Sequence, residues 1–330
     1  MNTRILFDGM IWLKITVWER SLSEDYLRWA SQIGVDGIDI HNPLNVPGVK
    51  ERGYADPEKL ARMKRKLQAA NLNIYRVTLP ETPNFFRGKP EGEKEVENLC
   101  KTIMALGEAS IPIARPLLHG TPGVFMTHIA EHRGGYKMRA YDLHAAKQRQ
   151  PGRLWDPKIP VEEYWSRCIE LYRTMVPVAE DSGVKIALHP SDPPVPEAPF
   201  TTEGWRRILE AVPSKNNGLL YCVGTRYEAG GTRLVFEEIQ RFGREGKIFE
   251  VHLRNVKGSL PASGRFEEVA IDDGDMNMLQ ILQALQENGF DGPVNPDHVP
   301  LITGDTQQHQ VATAYAVGYI KALLSVLESR

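Results

Sequence analysis

A single (β/α)8 barrel is the fold this sequence predicts, on three observations. Short apolar runs alternate with longer amphipathic segments along the chain, eight of each, which is the pattern of parallel βα units. The 330 residues fit one such barrel with long loops, since the fold needs about 250. Four metal-capable side chains stand at the C-terminal ends of the last four predicted strands, the rim where barrels carry their chemistry.

Taken in order, strands are predicted near 4–13, 37–41, 73–79, 111–117, 184–189, 217–223, 248–254 and 292–296. Helical spacing lies between them, near 22–33, 57–70, 92–108, 160–181, 202–211, 233–242, 276–287 and 307–328. Gly34, Gly183 and Gly289 follow helix ends, where positive φ is often wanted. Asp275 precedes an apolar periodic run and reads as an N-cap. The regularity fails twice. Residues 80–92 are rich in Pro, Gly and charge, and residues 117–159 form a long connection after the fourth strand, with His128, His132 and His144. In a barrel that connection lies on the active face, so it is read as a lid; the plainer alternative is an insertion packed against the rim or a neighbouring subunit. No composition break divides residues 1–330 into domains.

The bulk numbers exclude some partners. A composition of 42% hydrophobic and 25% charged residues is that of an ordinary globular protein. A net charge of −2 gives no electrostatic reason to expect nucleic acid or an anionic membrane. Three widely spaced cysteines, Cys100, Cys168 and Cys222, make no disulfide framework and suit a reducing compartment. Asp8 and Lys14 interrupt the first apolar run, so no signal peptide is read there, and no membrane span is expected elsewhere. A cytoplasmic enzyme is the expectation, with a homo-oligomer left open.

Four passages carry the chemistry: Ile-Ala-Leu-His-Pro, with His189; Leu-Tyr-Cys-Val-Gly, with Cys222; Phe-Glu-Val-His-Leu-Arg-Asn, with His252; and Val-Asn-Pro-Asp-His, with Asp297. They are 33, 30 and 45 residues apart, one βα unit each for the first two and one unit plus a longer loop for the third. Alone, each residue has a plainer reading: a hydrogen-bonded rim histidine, a small buried cysteine, a turn-forming aspartate. Those readings would have to coincide on four successive strands at similar depth. Two imidazoles, a thiolate and a carboxylate are softer than a magnesium or calcium site wants. They suit Mn²⁺, Fe²⁺, Co²⁺ or Zn²⁺, with Mn²⁺ or Fe²⁺ the expectation.

At these passages the sequence resembles the D-mannonate dehydratases, within the xylose-isomerase-like TIM barrels. The resembling motifs are His189-Pro-Ser-Asp-Pro-Pro, Cys222-Val-Gly, His252-Leu-Arg-Asn-Val-Lys257, Gly274-Asp-Met-Asn-Met278 and Pro296-Asp-His298. Residues 136–142 also look like the segment after that family's active-site loop. The resemblance implies a metal-dependent dehydratase acting on a sugar acid, D-mannonate to 2-keto-3-deoxygluconate. It also implies His189, Cys222, His252 and Asp297 as metal ligands and His298 as a catalytic histidine. Two departures stand out. The first third matches only generally, and the segment after the Asp-His pair, where the family has a catalytic tyrosine, holds none before Tyr315.

Further roles follow as expectations. His298 is a general acid or base, or a residue that orients Asp297. Arg254 shares the His252 face by strand alternation and either clamps a substrate carboxylate or forms an internal salt bridge. His41 and His119 line the substrate pocket or the rim, and Lys257 binds substrate or is a loop charge. Three other readings compete. A xylose-isomerase-like isomerase or epimerase is one, though Cys222 argues against its usual carboxylate-rich metal set. A lyase of oxidised (3-keto) glycosides fits the divergent first half. A non-enzymatic metal scaffold would have its pocket blocked by apolar side chains.

Overall fold

The computed structural model describes residues 13–118, 121–156 and 159–329. Its strands are β1 (Lys14–Trp18), β2 (Gly37–Ile40), β3 (Asn73–Thr78), β4 (Ile113–Arg115), β5 (Thr121–Pro122), β6 (His128–Glu131) and β7 (Lys137–Asp142). They continue as β8 (Trp155–Asp156), β9 (Lys185–Leu188), β10 (Asn217–Cys222), β11 (Ile248–His252), β12 (Asn255–Lys257), β13 (Arg265–Val269) and β14 (Pro293–Asn295). Eight of them, β1-β14-β11-β10-β9-β4-β3-β2, close a parallel barrel. Closure joins the two ends of the chain, with Ile15 in register with Val294.

Local chemistry explains most element boundaries. Ser23, Asp56 and Thr201 accept hydrogen bonds from the first turns of helices Glu24–Gln32, Pro57–Ala69 and Thr202–Ala211. Gly34, Gly183 and Gly289 take φ of 77°, 67° and 85° just beyond helix ends, as expected. Asp275 is not the cap of the next helix. Asn277 accepts from Leu279 N and Gln280 N to start Met278–Glu287, while Asp275 accepts from Gly258 N at 2.8 Å.

The first strand lies later than the expected 4–13, most of which falls outside the described residues; Ile15, Thr16 and Val17 are the buried positions of Lys14–Trp18. The helix expected at 233–242 begins at Val223, directly after Cys222, and breaks at Gly231. The final helix, Gln310–Glu328, is long and apolar enough by composition to cross a membrane, contrary to the expectation that no segment would be. Its Ala316, Val317, Ile320 and Leu324 pack into the main core.

The connection expected at 117–159 and the longer loop expected between His252 and Asp297 contribute strands that pair with each other. An antiparallel sheet in the order β12-β13-β7-β6 joins them, with Phe266 opposite Tyr141. Tyr141, Phe266, Val256, Leu154, Trp155 and Val195 bury together as a separate small core, which supplies the apolar area that holds this sheet. Tyr136 anchors one end by donating to Asp273 Oδ2 at 2.7 Å.

Candidate active site

Three consecutive barrel strands deliver donors to one point. Cys222 and His252 end β10 and β11 in direct register, and His189 follows β9. The donor atoms of His189, Cys222 and His252 lie within 4.8 Å of one another. Asp297, two residues beyond β14 and at φ 59°, brings Oδ1 to 3.1 Å from His252 Nδ1 and Oδ2 to 4.0 Å from Cys222 Sγ.

The donor chemistry fits a soft divalent cation. Both ring nitrogens of buried His252 lack a hydrogen-bond partner, the 3.1 Å approach to Asp297 not having bonding geometry. Such orphans are rare in a buried site without a ligand. His189 Nδ1 lies 2.8 Å from Pro190 O, which fixes the proton there and turns Nε2 outward as a lone pair. Burial holds both imidazoles well below their ordinary pKa, hence neutral, and pushes the Cys222 thiol up to about 12. A bound cation would favour the thiolate.

Behind this cluster lies a buried ion-pair hub. Arg254 Nε donates to Asp297 Oδ2 at 3.1 Å, Nη1 to Glu228 Oε1 at 2.5 Å and Nη2 to Thr225 Oγ1 at 2.8 Å. Thr225 Oγ1 in turn donates to Cys222 Sγ at 3.1 Å. Gly224 makes room for it, because a Cβ there would fall 2.6 Å from Arg254 Cγ.

A second cluster stands beside the first. His298 Nδ1 lies 2.9 Å from Glu268 Oε1, and Arg139 pairs bidentately with Glu268 at 2.7 and 2.9 Å. Arg139 Nη2 also lies 2.6 Å from His298 Nδ1. On the far side, Trp18 stacks on His41 at 4.1 Å and meets the His298 ring edge-on at 5.5 Å. These groups line a cavity of about 680 Å³, within the range of small-molecule sites. Phe125, Ile129 and Leu301 stand half exposed around it.

The profile of the D-mannonate dehydratase (UxuA) family matches residues 155–329, just over half of the chain. The chain belongs to the D-mannonate dehydratase family. Mannonate dehydratase 2 of Halalkalibacterium halodurans is 26% identical over 311 residues, covering 82% of this chain and 89% of that protein. Mannonate dehydratase of Streptococcus agalactiae is 27% identical over 282 residues, covering 76% and 79%. Among solved structures, mannonate dehydratase from Streptococcus suis superimposes with a TM-score of 0.75 at 22% identity, over 96% of this chain and 95% of that one. A xylose isomerase domain protein from Planctomyces limnophilus gives 0.63 at 14% identity, over 97% and 99%, and so shares the fold.

The structure brings His189, Cys222, His252, Asp297 and His298 together and places His41 on the cavity wall. Arg254 shares the His252 side, as alternation predicts, but the carboxylate clamp is corrected: its guanidinium is 1% exposed and engaged by Glu228, Asp297 and Thr225. Lys257 is corrected too. It pairs with Asp273 at 3.1 Å and is not among the cavity-lining residues. His119 lies outside the described residues. The loop histidines His128, His132 and His144 do not line the cavity, and Tyr315, half exposed on the last helix, leaves this family member without a cavity tyrosine among the described residues.

Sequence reasoning missed Arg115, Glu268, Arg139, Arg20 and His309, all of which line the cavity. His309 takes φ 54°, and its buried Nδ1 has no partner. Arg115 carried a usable signal, since it ends β4 as the metal-capable residues end β9 to β11.

Proposed function

We propose that the chain is a metal-dependent hydro-lyase that removes water from a sugar acid, taking D-mannonate to 2-keto-3-deoxygluconate with Mn²⁺ or Fe²⁺ as its ion. The observation that carries this reading is the convergence of two neutral imidazoles, a buried thiol and Asp297 beside a cavity of about 680 Å³, in a member of the D-mannonate dehydratase family.

On this reading His189, Cys222, His252 and Asp297 hold the ion. When bound, it supplies Lewis-acid stabilisation of the negative charge that develops on substrate oxygens. The protein's own groups do the rest. Arg254 Nε, donating to Asp297 Oδ2 at 3.1 Å, keeps that carboxylate aimed at the cluster. His298, bordered by Glu268 Oε1 at 2.9 Å and by Arg139 Nη2, is the base that takes the proton from the carbon next to the carboxylate. The same histidine, once protonated, can return a proton to the departing β-hydroxyl. Ile129 of β6 and Met138 and Arg139 of β7 line the cavity and would limit water at the reacting carbon.

The test uses chelated protein resupplied with Mn²⁺. We expect one equivalent of bound metal and formation of a 2-keto-3-deoxy acid from D-mannonate. Cys222→Ala and His252→Ala should lose both metal and turnover. One equivalent of metal without product would overturn the substrate assignment, and no bound metal would overturn the whole reading.

A further inference from the structure

Arg115 is a cation without a counter-ion. It ends β4, beside β9, whose end carries His189, and it lines the cavity. Among the described residues it forms no ion pair, and its Nε has no hydrogen-bond partner. Among the described residues its one side-chain contact at hydrogen-bond distance is His41, whose Nδ1 lies 3.5 Å from Nη1, while Asp297 and Glu250 act on it without pairing. Burial and the charge of Arg115 hold His41 down at about 2, so that ring is neutral and accepts from the guanidinium without balancing its charge. The cavity carboxylates are engaged elsewhere: Asp297 with Arg254 at 3.1 Å, Glu268 with Arg139 at 2.7 Å, and Asp192 facing Arg254 at 3.9 Å. Burial and the nearby Arg76 lower Arg115 to about 10, which still leaves it charged at neutral pH. A half-buried guanidinium with no ion-pair partner among the described residues is held at some cost to the folded protein. It is what a site needs if the missing charge arrives with the ligand.

We propose that Arg115 is the carboxylate anchor of this cavity and takes the acid group of an aldonate through two parallel N–H···O bonds. The planar fork matches a carboxylate and cannot be matched by an uncharged sugar terminus. Binding there sets the acid end against β4 and β9, so the adjacent carbon faces the His189–Cys222–His252 cluster while the polyol tail extends toward the mouth. The inference deepens the dehydratase reading by naming what holds the acid group, and it assigns to Arg115 the role that Arg254 cannot fill.

Calorimetric titration of the Mn²⁺-loaded protein tests it, with two aldonates (D-mannonate and D-gluconate) against the uncharged chains D-mannitol and D-sorbitol. Wild type should prefer the aldonates. Arg115→Met should weaken aldonate binding roughly 10- to 100-fold and leave the weak alditol binding unchanged. Arg115→Lys, which keeps the charge and loses the fork, should fall between. The melting temperature of ligand-free Arg115→Met should equal or exceed that of wild type, because the variant loses a half-buried charge that has no ion pair; an arginine kept for stability would give a fall. Aldonate affinity in Arg115→Met within about twofold of wild type overturns the proposal, as does a wild type that binds aldonates no better than alditols. Arg115-dependent aldonate binding without turnover of D-mannonate would leave the anchor standing and remove the reaction. Turnover with an unchanged KM in Arg115→Met would do the reverse.

Discussion

Glu228 lies buried against Arg254, and its carboxyl is pushed up to about 7, chiefly by burial, with Asp192 and Glu268 adding to the rise and Arg254 opposing it. The folded state therefore favours the protonated acid relative to an unfolded chain, where the group titrates near 4.5. The sign follows from linkage: its contribution to stability is complete below about pH 4.5 and is lost as the pH rises through about 7. Glu228→Gln keeps an acceptor for Arg254 Nη1 and removes the titration. The melting temperature of the variant should rise relative to wild type as the pH climbs through that window, measured by calorimetry between pH 4.5 and 8. A difference that stays constant with pH would show that folding does not shift the titration of Glu228. At this scale the sequence was legible where one signal recurred, a donor residue at a strand end. It was not legible for Glu228 or Glu268, whose roles depend on partners 26 and 30 residues away. The alternation rule put Arg254 on the correct side, but it could not show that the opening at Gly224 draws the guanidinium back beneath the cluster.

Elements with their own periodicity and caps were read closely. Pro57–Ala69 and Thr202–Ala211 fall within a residue of expectation, because amphipathic spacing and a capping side chain are both local signals. The sheet whose β6, β7 and β13 residues line the cavity reads as loop in the sequence, because its stabilising partners come from two insertions. Arg139 on β7 and Glu268 on β13 are 129 residues apart, and neither strand has a barrel neighbour to complete a familiar pattern. That sheet delivers more than cavity wall. Its Arg139–Glu268 pair borders His298, so Arg139→Ala should free the histidine without touching the four metal-capable residues. We expect metal content to stay at the wild-type level and kcat to fall roughly 100-fold, the scale of a misplaced acid–base group. Elemental analysis beside steady-state kinetics checks this. Loss of metal in the same variant would show instead that the sheet maintains the integrity of the ion site.

The whole barrel is organised around a polar axis that local patterns do not reveal. Arg76 on β3 pairs with Glu250 on β11 at 2.8 Å, 174 residues away, and Asn295 on β14 donates to Asp39 on β2 at 2.6 Å. These bonds tie strands from both ends of the chain beneath the site, and the alternation of apolar runs conveys nothing of them. Above this axis, buried Cys222 and His252 and half-buried His189 bring three donors together, both ring nitrogens of His252 without a partner, with Asp297 approaching from beyond β14. An ion there would tie β9, β10 and β11 to the segment after β14, and the unfolded chain offers no such assembled site. Binding restricted to the folded state stabilises by mass action, about 2.7 kcal/mol at a free ion concentration 100 times Kd. For a chain of this size that corresponds to a melting temperature about 5 °C higher. We therefore expect chelated wild type to melt lower than protein resupplied with Mn²⁺, with the shift growing as the logarithm of added ion. Cys222→Ala should lose most of the shift, while Lys257→Ala, remote from the cluster, should keep it. Scanning calorimetry across a Mn²⁺ series decides the matter. An unshifted wild type would mean that the four residues do not act together as an ion site, and a shift unchanged in Cys222→Ala would move the ion to the Asp192, Glu268 and His298 group beside them.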